Sequence, residues 1–259
     1  MFMRLHLFEW EDQPWFPSVL RTAMTSYLAT AYSITPLPKH WAHCLSQLMR
    51  RDEVTQIVDL GSGSGGPVAH VLKELAERGF KVSITLTDLY PDVNRVQIAT
   101  SGTGQIRYWP EPVDATRVPA ALPGIRTMFA SFHHFRPDAA REILRDAFEQ
   151  RVPICIFEAT ARTPAAVASA LFIPLFVLLL TPLVRPVSWV QLLFTYPVPI
   201  LPLLIFWDGL VSQLRTSSVQ ELEELTREFQ SPQYRWEAGL VEIPRMPVGM
   251  PYLIGRPMM

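Results

Sequence analysis

Residues Ile57–Pro67 read IVDLGSGSGGP, and the fold turns on how that stretch is taken. The apolar run Gln56–Leu60 stops at glycines, which fits a short buried strand. Directly after it, Pro67–Arg78 (PVAHVLKELAER) sets Val68, Val71, Leu72 and Leu75 on one helical stripe, and Gly79 ends it. The segment is therefore a strand, a glycine turn and a helix. Glycines in such a turn let backbone N–H groups approach a ligand closely, and the helix N-terminus favours negative charge there. Two spacings overlap in the turn, Gly61-x-Gly63-x-x-Gly66 and Asp59-x-Gly61-x-Gly63-x-Gly65, and they ask for different ligands.

Outward from this point the chain keeps alternating. Lys81–Thr87 (KVSITLT) predicts a second strand ending at Asp88, and Gln105–Trp109 a weaker third. Arg126–Phe132 (RTMFASF) reads as a fourth strand, followed by a helix from Pro137 to about Gln150, and Val152–Glu158 (VPICIFE) as a fifth. A polar helix is expected over Val219–Phe229, then strands over Tyr234–Ile243 and Pro251–Gly255, split by PRMPVGMP. This order predicts an α/β fold, a Rossmann-like parallel sheet with helices on both faces. Such sheets bind ligands at the carboxyl ends of their strands. The polar residues fall at those ends: Asp59 and Gly61 after the first, Asp88 after the second, Asp114 after the third, His133 after the fourth, Glu158 after the fifth.

The first of the two glycine spacings is the dinucleotide fingerprint. The second suits S-adenosylmethionine, which has no phosphate: its aminoacyl carboxylate is the anion, and its ammonium wants a carboxylate. Asp59, just before the glycines, is placed to serve that ammonium, and dinucleotide sites make no such demand. Asp88 can hydrogen-bond ribose hydroxyls in either case. Asp114 with Ala115 can meet an adenine amino group. Taken together, IVDLGSGSGG, TDLYPD around Asp88, PVDAT around Asp114 and ASFHHF resemble the sequential motifs of class I S-adenosylmethionine-dependent methyltransferases. The resemblance covers roughly Thr55–Glu158 plus Val219–Gly255, and the late helix with two strands resembles that family's closing hairpin. It implies that Asp59, Gly61, Gly63 and Gly65 cradle the aminoacyl end, Asp88 binds the ribose, Leu89 lies against the adenine, and Asp114 with Ala115 binds its edge. Two other readings share the fold: a non-catalytic S-adenosylmethionine-binding sensor or scaffold, and an NAD-dependent oxidoreductase.

Methyl transfer is an in-line displacement that needs near-attack geometry and, for an oxygen or nitrogen acceptor, removal of a proton. His133 and His134 follow the fourth strand, where the family faces its acceptor, and histidine titrates in the right range for a base. One of the pair is expected to point into the site; the alternative is that both cap the strand. Glu158 is either a second base or an orienting group. Cys44 and Cys155 match no metal-ligand spacing, and no metal is expected.

The departure from the family is a long apolar stretch. Thr163–Val184 carries no charge, nor does Pro186–Trp207, and Arg185 alone divides them. Each run has the ~20 residues that cross a bilayer, but Pro174, Pro182, Pro197, Pro199 and Pro202 interrupt them. Both ends return to the same catalytic domain, which favours a re-entrant or shallow helical hairpin, with two crossings about Arg185 or a greasy domain or dimer core as alternatives. Asp208 and Arg215, one helical face apart in WDGLVSQLR, are expected to pair. The chain thus divides into an N-terminal helical lid (1–54), a cofactor-binding core (55–162), an apolar membrane-associating insertion (163–217) and a C-terminal helix with closing strands (218–259). A net charge of −1 excludes nucleic acid as a partner attracted by bulk charge. Glu9, Glu11 and Asp12 interrupt any signal-peptide core, so the expected location is the cytoplasmic face of a membrane. The expected acceptor is a lipophilic small molecule or lipid, methylated on oxygen. Nothing in the sequence indicates an oligomeric state.

Overall fold

The computed structural model describes residues 3–52, 54–91, 105–186, 188–243 and 248–258. Asp92 of TDLYPD and residues 244–247 of PRMPVGMP lie outside the described residues. One sheet holds seven strands, β1 (Gln56–Leu60), β2 (Ser83–Thr87), β3 (Ile106–Tyr108), β4 (Ile125–Phe129), β5 (Ile154–Phe157), β6 (Tyr234–Val241) and β7 (Met250–Pro257). Their order is β3-β2-β1-β4-β5-β7-β6. The first five are parallel, with Ile57 of β1 opposite Ile84 of β2 and Ile125 of β4. The last two close the sheet antiparallel, Ile156 facing Leu253. The order reverses direction between β1 and β4, and the glycine turn leaves β1 at that switch point.

Alternation along the strands divides the core in two. On one face, Ile57, Ile84 and Phe157 pack against α2 (Leu37–Asp52) and α3 (Val68–Glu77). There Trp41 lies against Phe129 and Phe157, with ring centroids 5.5 and 6.2 Å away. On the other face, Val58, Leu60 and Ile154 meet α4 (Pro137–Glu149) and α9 (Val219–Thr226). Helix α9 starts on a capping box in which Ser218 and Glu221 satisfy each other's backbone N–H.

Two boundaries differ from the sequence reading for local reasons. The fourth strand stops at Phe129 rather than Phe132, because Ala130 adopts φ 52° and the chain turns into a 3-10 segment over Phe132–His134. The last strand is longer than expected, because β6 pairs with it along its full length.

The apolar stretch folds into α5 (Pro164–Ser169), α6 (Ile173–Leu180), α7 (Trp189–Thr195) and α8 (Ile200–Arg215). With the 3-10 turns between and after them, α5 and α6 make one helical run, Pro164–Leu183, of 20 residues and mean hydropathy 2.3. Pro164, Pro174 and Pro182 each fall in the first turn of a segment, where the missing N–H is not needed. That is why so many prolines leave the run helical. Helices α7 and α8 meet at 83°. A third core joins this layer to the N-terminus: Phe16 together with Met24 and Tyr27 of α1 (Ser18–Ile34) buries Val177, Leu201 and Ile205. Only 22% of the run's apolar window is buried, and Leu171, Phe172, Leu175, Phe176, Leu179 and Leu203 stay exposed.

Candidate active site

The glycine turn is held from both sides. Gly61 and Gly63 have φ of 63° and 51°, left-handed values that cost side-chain-bearing residues energy. A Cβ at Gly63 would meet no heavy atom within 4 Å, so that backbone faces open space. The Gly63 N–H donates to Asp88 Oδ2 at 2.8 Å, while Tyr108 Oη donates to the Gly63 carbonyl at 3.2 Å. Asp88 Oδ1 accepts from the Tyr90 N–H at 2.9 Å, and Leu89 between them is exposed. Asp114, exposed beyond β3, uses Oδ1 to accept from the Thr116 N–H and hydroxyl, while Ala115 is buried.

Asp59 is buried at the base of the turn and accepts hydroxyl hydrogens from Ser62 (2.6 Å) and Thr127 (2.9 Å). Burial pushes its carboxyl up to about 7 against the pull of those two hydrogen bonds, and Asp88 adds to the rise. Among the described residues no cationic side chain pairs with it.

Across the switch point, Ser131 closes the gap between β4 and the turn, its Cβ 3.9 Å from where a Gly61 Cβ would stand. Two residues on come the adjacent histidines, their ring centroids 4.4 Å apart. His133 is buried and its Nδ1 lies 2.7 Å from Glu158 Oε2 at the end of β5. A carboxylate only accepts, so this contact assigns the Nδ1 proton to the imidazole and leaves Nε2 with its lone pair. Glu158 has no ordinary surface role, being buried with Oε1 unpaired among the described residues.

Beside His133, His134 joins a cluster contributed by the N-terminal strap and α8. Its Nδ1 lies 2.9 Å from Asp12 and 3.3 Å from Glu9. Burial opposes its protonation, but Glu9 and Asp12 outweigh that and raise the imidazole to about 9. Arg215, buried at the end of α8, donates from Nη1 to Asp12 (2.7 Å), lies 3.3 Å from Glu9, and donates from Nε to the Leu7 carbonyl. Asp208 accepts instead from the Trp10 and Glu11 N–H groups at 2.8 and 3.2 Å. The expected Asp208–Arg215 pair is therefore not formed. Arg215 reaches past its own helix because the strap brings two carboxylates to its head. Arg4 fastens the same strap through the Arg215 and Phe135 carbonyls.

Glu9, His133 and His134 also have potential metal-ligand atoms within 4.8 Å of one another. The Arg215 guanidinium already sits against two of the three, so a cation occupies that place. Sequence reasoning used Glu9 and Asp12 only to argue against a signal peptide and missed their partner. The available signal was an arginine at the edge of a long uncharged stretch.

The titrating groups of the strap predict its response to alkali. His134 is raised above its free value, so its contribution is complete below about pH 6.5 and is lost as pH rises through about 9. Burial raises Glu11 to about 8, with Asp208, Glu9 and Asp12 adding to the rise, and Asp208 to about 7, with Glu9 and Asp12 adding to it. Raised carboxyls act in the same direction, their stability also being lost as pH climbs. In acid the balance reverses, since Asp12 is held below its usual range, the lowering by His134 and Arg215 exceeding the rise from burial, and burial keeps His6 down near 4. Trp10 and Trp15 emission is expected to shift red between about pH 7 and 9, ahead of global unfolding. An unchanged spectrum over that range would remove the electrostatic latch.

The sequence matches no known family model and no curated protein. Solved structures do match. The plantazolicin methyltransferase BpumL in complex with SAH superposes with a TM-score of 0.58 at 12% identity, covering 95% of this chain and 92% of that one. The same enzyme with a monoazolic desmethylPZN analog and SAH gives 0.55 at 13% identity, covering 95% and 92%. Human N-acetylserotonin methyltransferase in complex with SAM gives 0.53 at 14% identity, over 92% of this chain and 55% of that one. The fold is that of the class I methyltransferases. The Rossmann-like sheet expected from the sequence is thus present, with the apolar helical layer between β5 and α9.

Proposed function

We propose that this chain is an S-adenosylmethionine-dependent methyltransferase, seated on the cytoplasmic face of a membrane, that methylates an oxygen of a lipophilic small molecule or lipid. The observation that carries the reading is the buried His133–Glu158 pair at the strand edge shared with the glycine turn. A sheet of this kind with a carboxylate-oriented imidazole beside its ligand loop is arranged to remove a proton. The residues present fit the cofactor. Asp59 is a buried carboxylate without a cation, which an ammonium would complete, and the backbone at Gly63 and Gly66 is open to a ligand. Asp88 tethers the turn while retaining acceptor capacity for ribose hydroxyls. Leu89 and Asp114 offer an apolar contact and an exposed carboxylate for adenine.

When bound, the cofactor supplies an electrophilic methyl on a sulfonium. In the proposed site His133 Nε2 would take the hydroxyl proton of the acceptor oxygen that receives this methyl. Glu158 holds the tautomer and stabilises the imidazolium that results. His134 is protonated at neutral pH and takes no proton; it shapes the field and holds the strap.

Support for a membrane comes from the one-sided insertion. It is anchored on α1 and α8 through Val177, Leu201 and Ile205, and six large apolar side chains point away from the protein. Each Leu or Phe moved from water contributes roughly 1.5–3 kcal/mol, before the cost of association. The layer returns to α9 and the sheet, which supports lying in one leaflet rather than crossing.

The test uses detergent-purified protein, S-adenosylmethionine labelled on the methyl, and a total lipid extract. Label is expected in the organic phase and should disappear with Asp59→Ala. Binding of the cofactor without any label in the extract would sink the lipophilic-acceptor reading and favour the sensor or scaffold. Asp88→Ala is expected to weaken cofactor binding by roughly ten- to a hundredfold, read by calorimetry, because it removes ribose acceptors and the brace on Gly63 together. Unchanged affinity in both variants would overturn the site assignment.

A further inference from the structure

A cavity of about 190 Å³ opens between α1 and the apolar layer, lined by none of the strand-end residues of the methyl-transfer site. Its polar side chains are Ser18, Thr22 and Ser26, spaced four apart along one face of α1, with Ser188 and Gln191 opposite. Gln191 is 2% exposed, and both its amide oxygen and its amide nitrogen are unpaired among the described residues. A buried amide left in this state is costly and calls for a partner that donates and accepts at once. Thr181 and Thr195, also buried in this layer, are already satisfied by the Val177 carbonyl and by each other.

The lining carries no charged side chain. Its neighbours in sequence do not supply one: Arg21 donates to the Glu11 and Gln13 carbonyls, and Arg185 to those of Pro182 and Val184. An anionic head would find no counter-charge. An alcohol or diol would find hydroxyls on one wall and an amide on the other. Val19 of the lining is exposed, as are Leu183 and Trp189, which adjoin the lining residues Val184 and Ser188 in the chain, Trp189 being 86% exposed. Tryptophan in that position is suited to the boundary between headgroups and acyl chains.

We propose that this cavity binds the uncharged, hydroxyl-bearing head of a membrane amphiphile whose tail lies along the exposed face of the insertion. The proposal rests on the membrane-seated reading above and adds to it a headgroup preference at a second site, separate from methyl transfer.

The test is binding of the full chain to phosphatidylcholine vesicles with and without monooleoylglycerol, followed by Trp189 emission and by flotation. Doping is expected to tighten binding roughly tenfold, the scale of one or two satisfied hydrogen bonds. In Gln191→Leu the increment should vanish while binding to plain vesicles persists and the melting temperature holds or rises, since an unpaired amide has been replaced by a methyl-bearing side chain of similar size. Ser26→Leu, which fills the cavity from the α1 side, should act likewise. Equal binding to doped and plain vesicles by the unmodified chain, or an increment that survives Gln191→Leu, overturns the site while leaving membrane seating intact. Tightening by free glycerol to the same extent would assign the cavity to a soluble polyol and overturn the amphiphile. Failure to bind any vesicle would overturn the membrane reading and this site with it.

Discussion

His133→Asn is expected to lower methyl transfer by roughly 10²–10⁴-fold, the usual share of a positioned general base, with cofactor affinity unchanged. Its hydrogen-bond partner is Glu158 at 2.7 Å, on the far side of β4 from Asp59. Glu158→Gln should produce a smaller loss than His133→Asn, because an amide can still accept from Nδ1 but no longer stabilises an imidazolium. The loss should fall on kcat, with KM and cofactor affinity held. A structural role alone would lower stability and leave kcat in place. His134→Asn is the contrasting variant. It should disturb the strap far more than the chemical step. If instead His134→Asn abolishes turnover and His133→Asn does not, the assignment of the two histidines is reversed.

Arg215→Leu is expected to have the largest effect on stability of any single change outside the sheet. The guanidinium is 4% exposed and stands against Asp12 at 2.7 Å and Glu9 at 3.3 Å, with the Leu7 carbonyl also on its fork. Removing one partner of a buried ion pair leaves the others uncompensated and costs about 3–5 kcal/mol. In a chain of this size that corresponds to a fall in melting temperature of roughly 10 °C. His134 keeps part of the charge balance, so the loss should fall at the low end of the range. Arg215→Lys retains the charge but not the fork that reaches Leu7 and Asp12 together, and should be intermediate. Limited proteolysis separates local from global effects: cleavage before Phe16 should precede melting in both variants. A melting temperature within a degree or two of the parent would show that the cluster is already uncoupled from folding.

The pieces of the proposed methyl-transfer site were legible because each is local. Asp59, Gly61, Gly63, Asp88 and Asp114 sit at strand ends, and a parallel sheet brings such ends to one edge whatever the surrounding sequence. The contacts of Asp88 were less legible. Its carboxylate ties down the Gly63 N–H, a partner 25 residues away that no spacing rule anticipates. Glu158 was legible as a polar residue after a strand, with base and orienting group as equal readings; its 2.7 Å contact with His133 Nδ1 is a partner the sequence did not offer.

The alternation of apolar runs, the glycine turn and the uncharged insertion follow from the sequence by itself, since period and composition decide which segments are strands or helices. Only the tertiary structure decided which carboxylates Arg215 would meet. In isolation Asp208 is its natural helical neighbour. The strap offers Asp208 two backbone N–H groups and offers Arg215 two carboxylates, and both are better satisfied apart than together. That exchange joins residues about two hundred apart in the chain. Pairing over such distances is set by which surfaces are buried together, and local pattern carries no record of it.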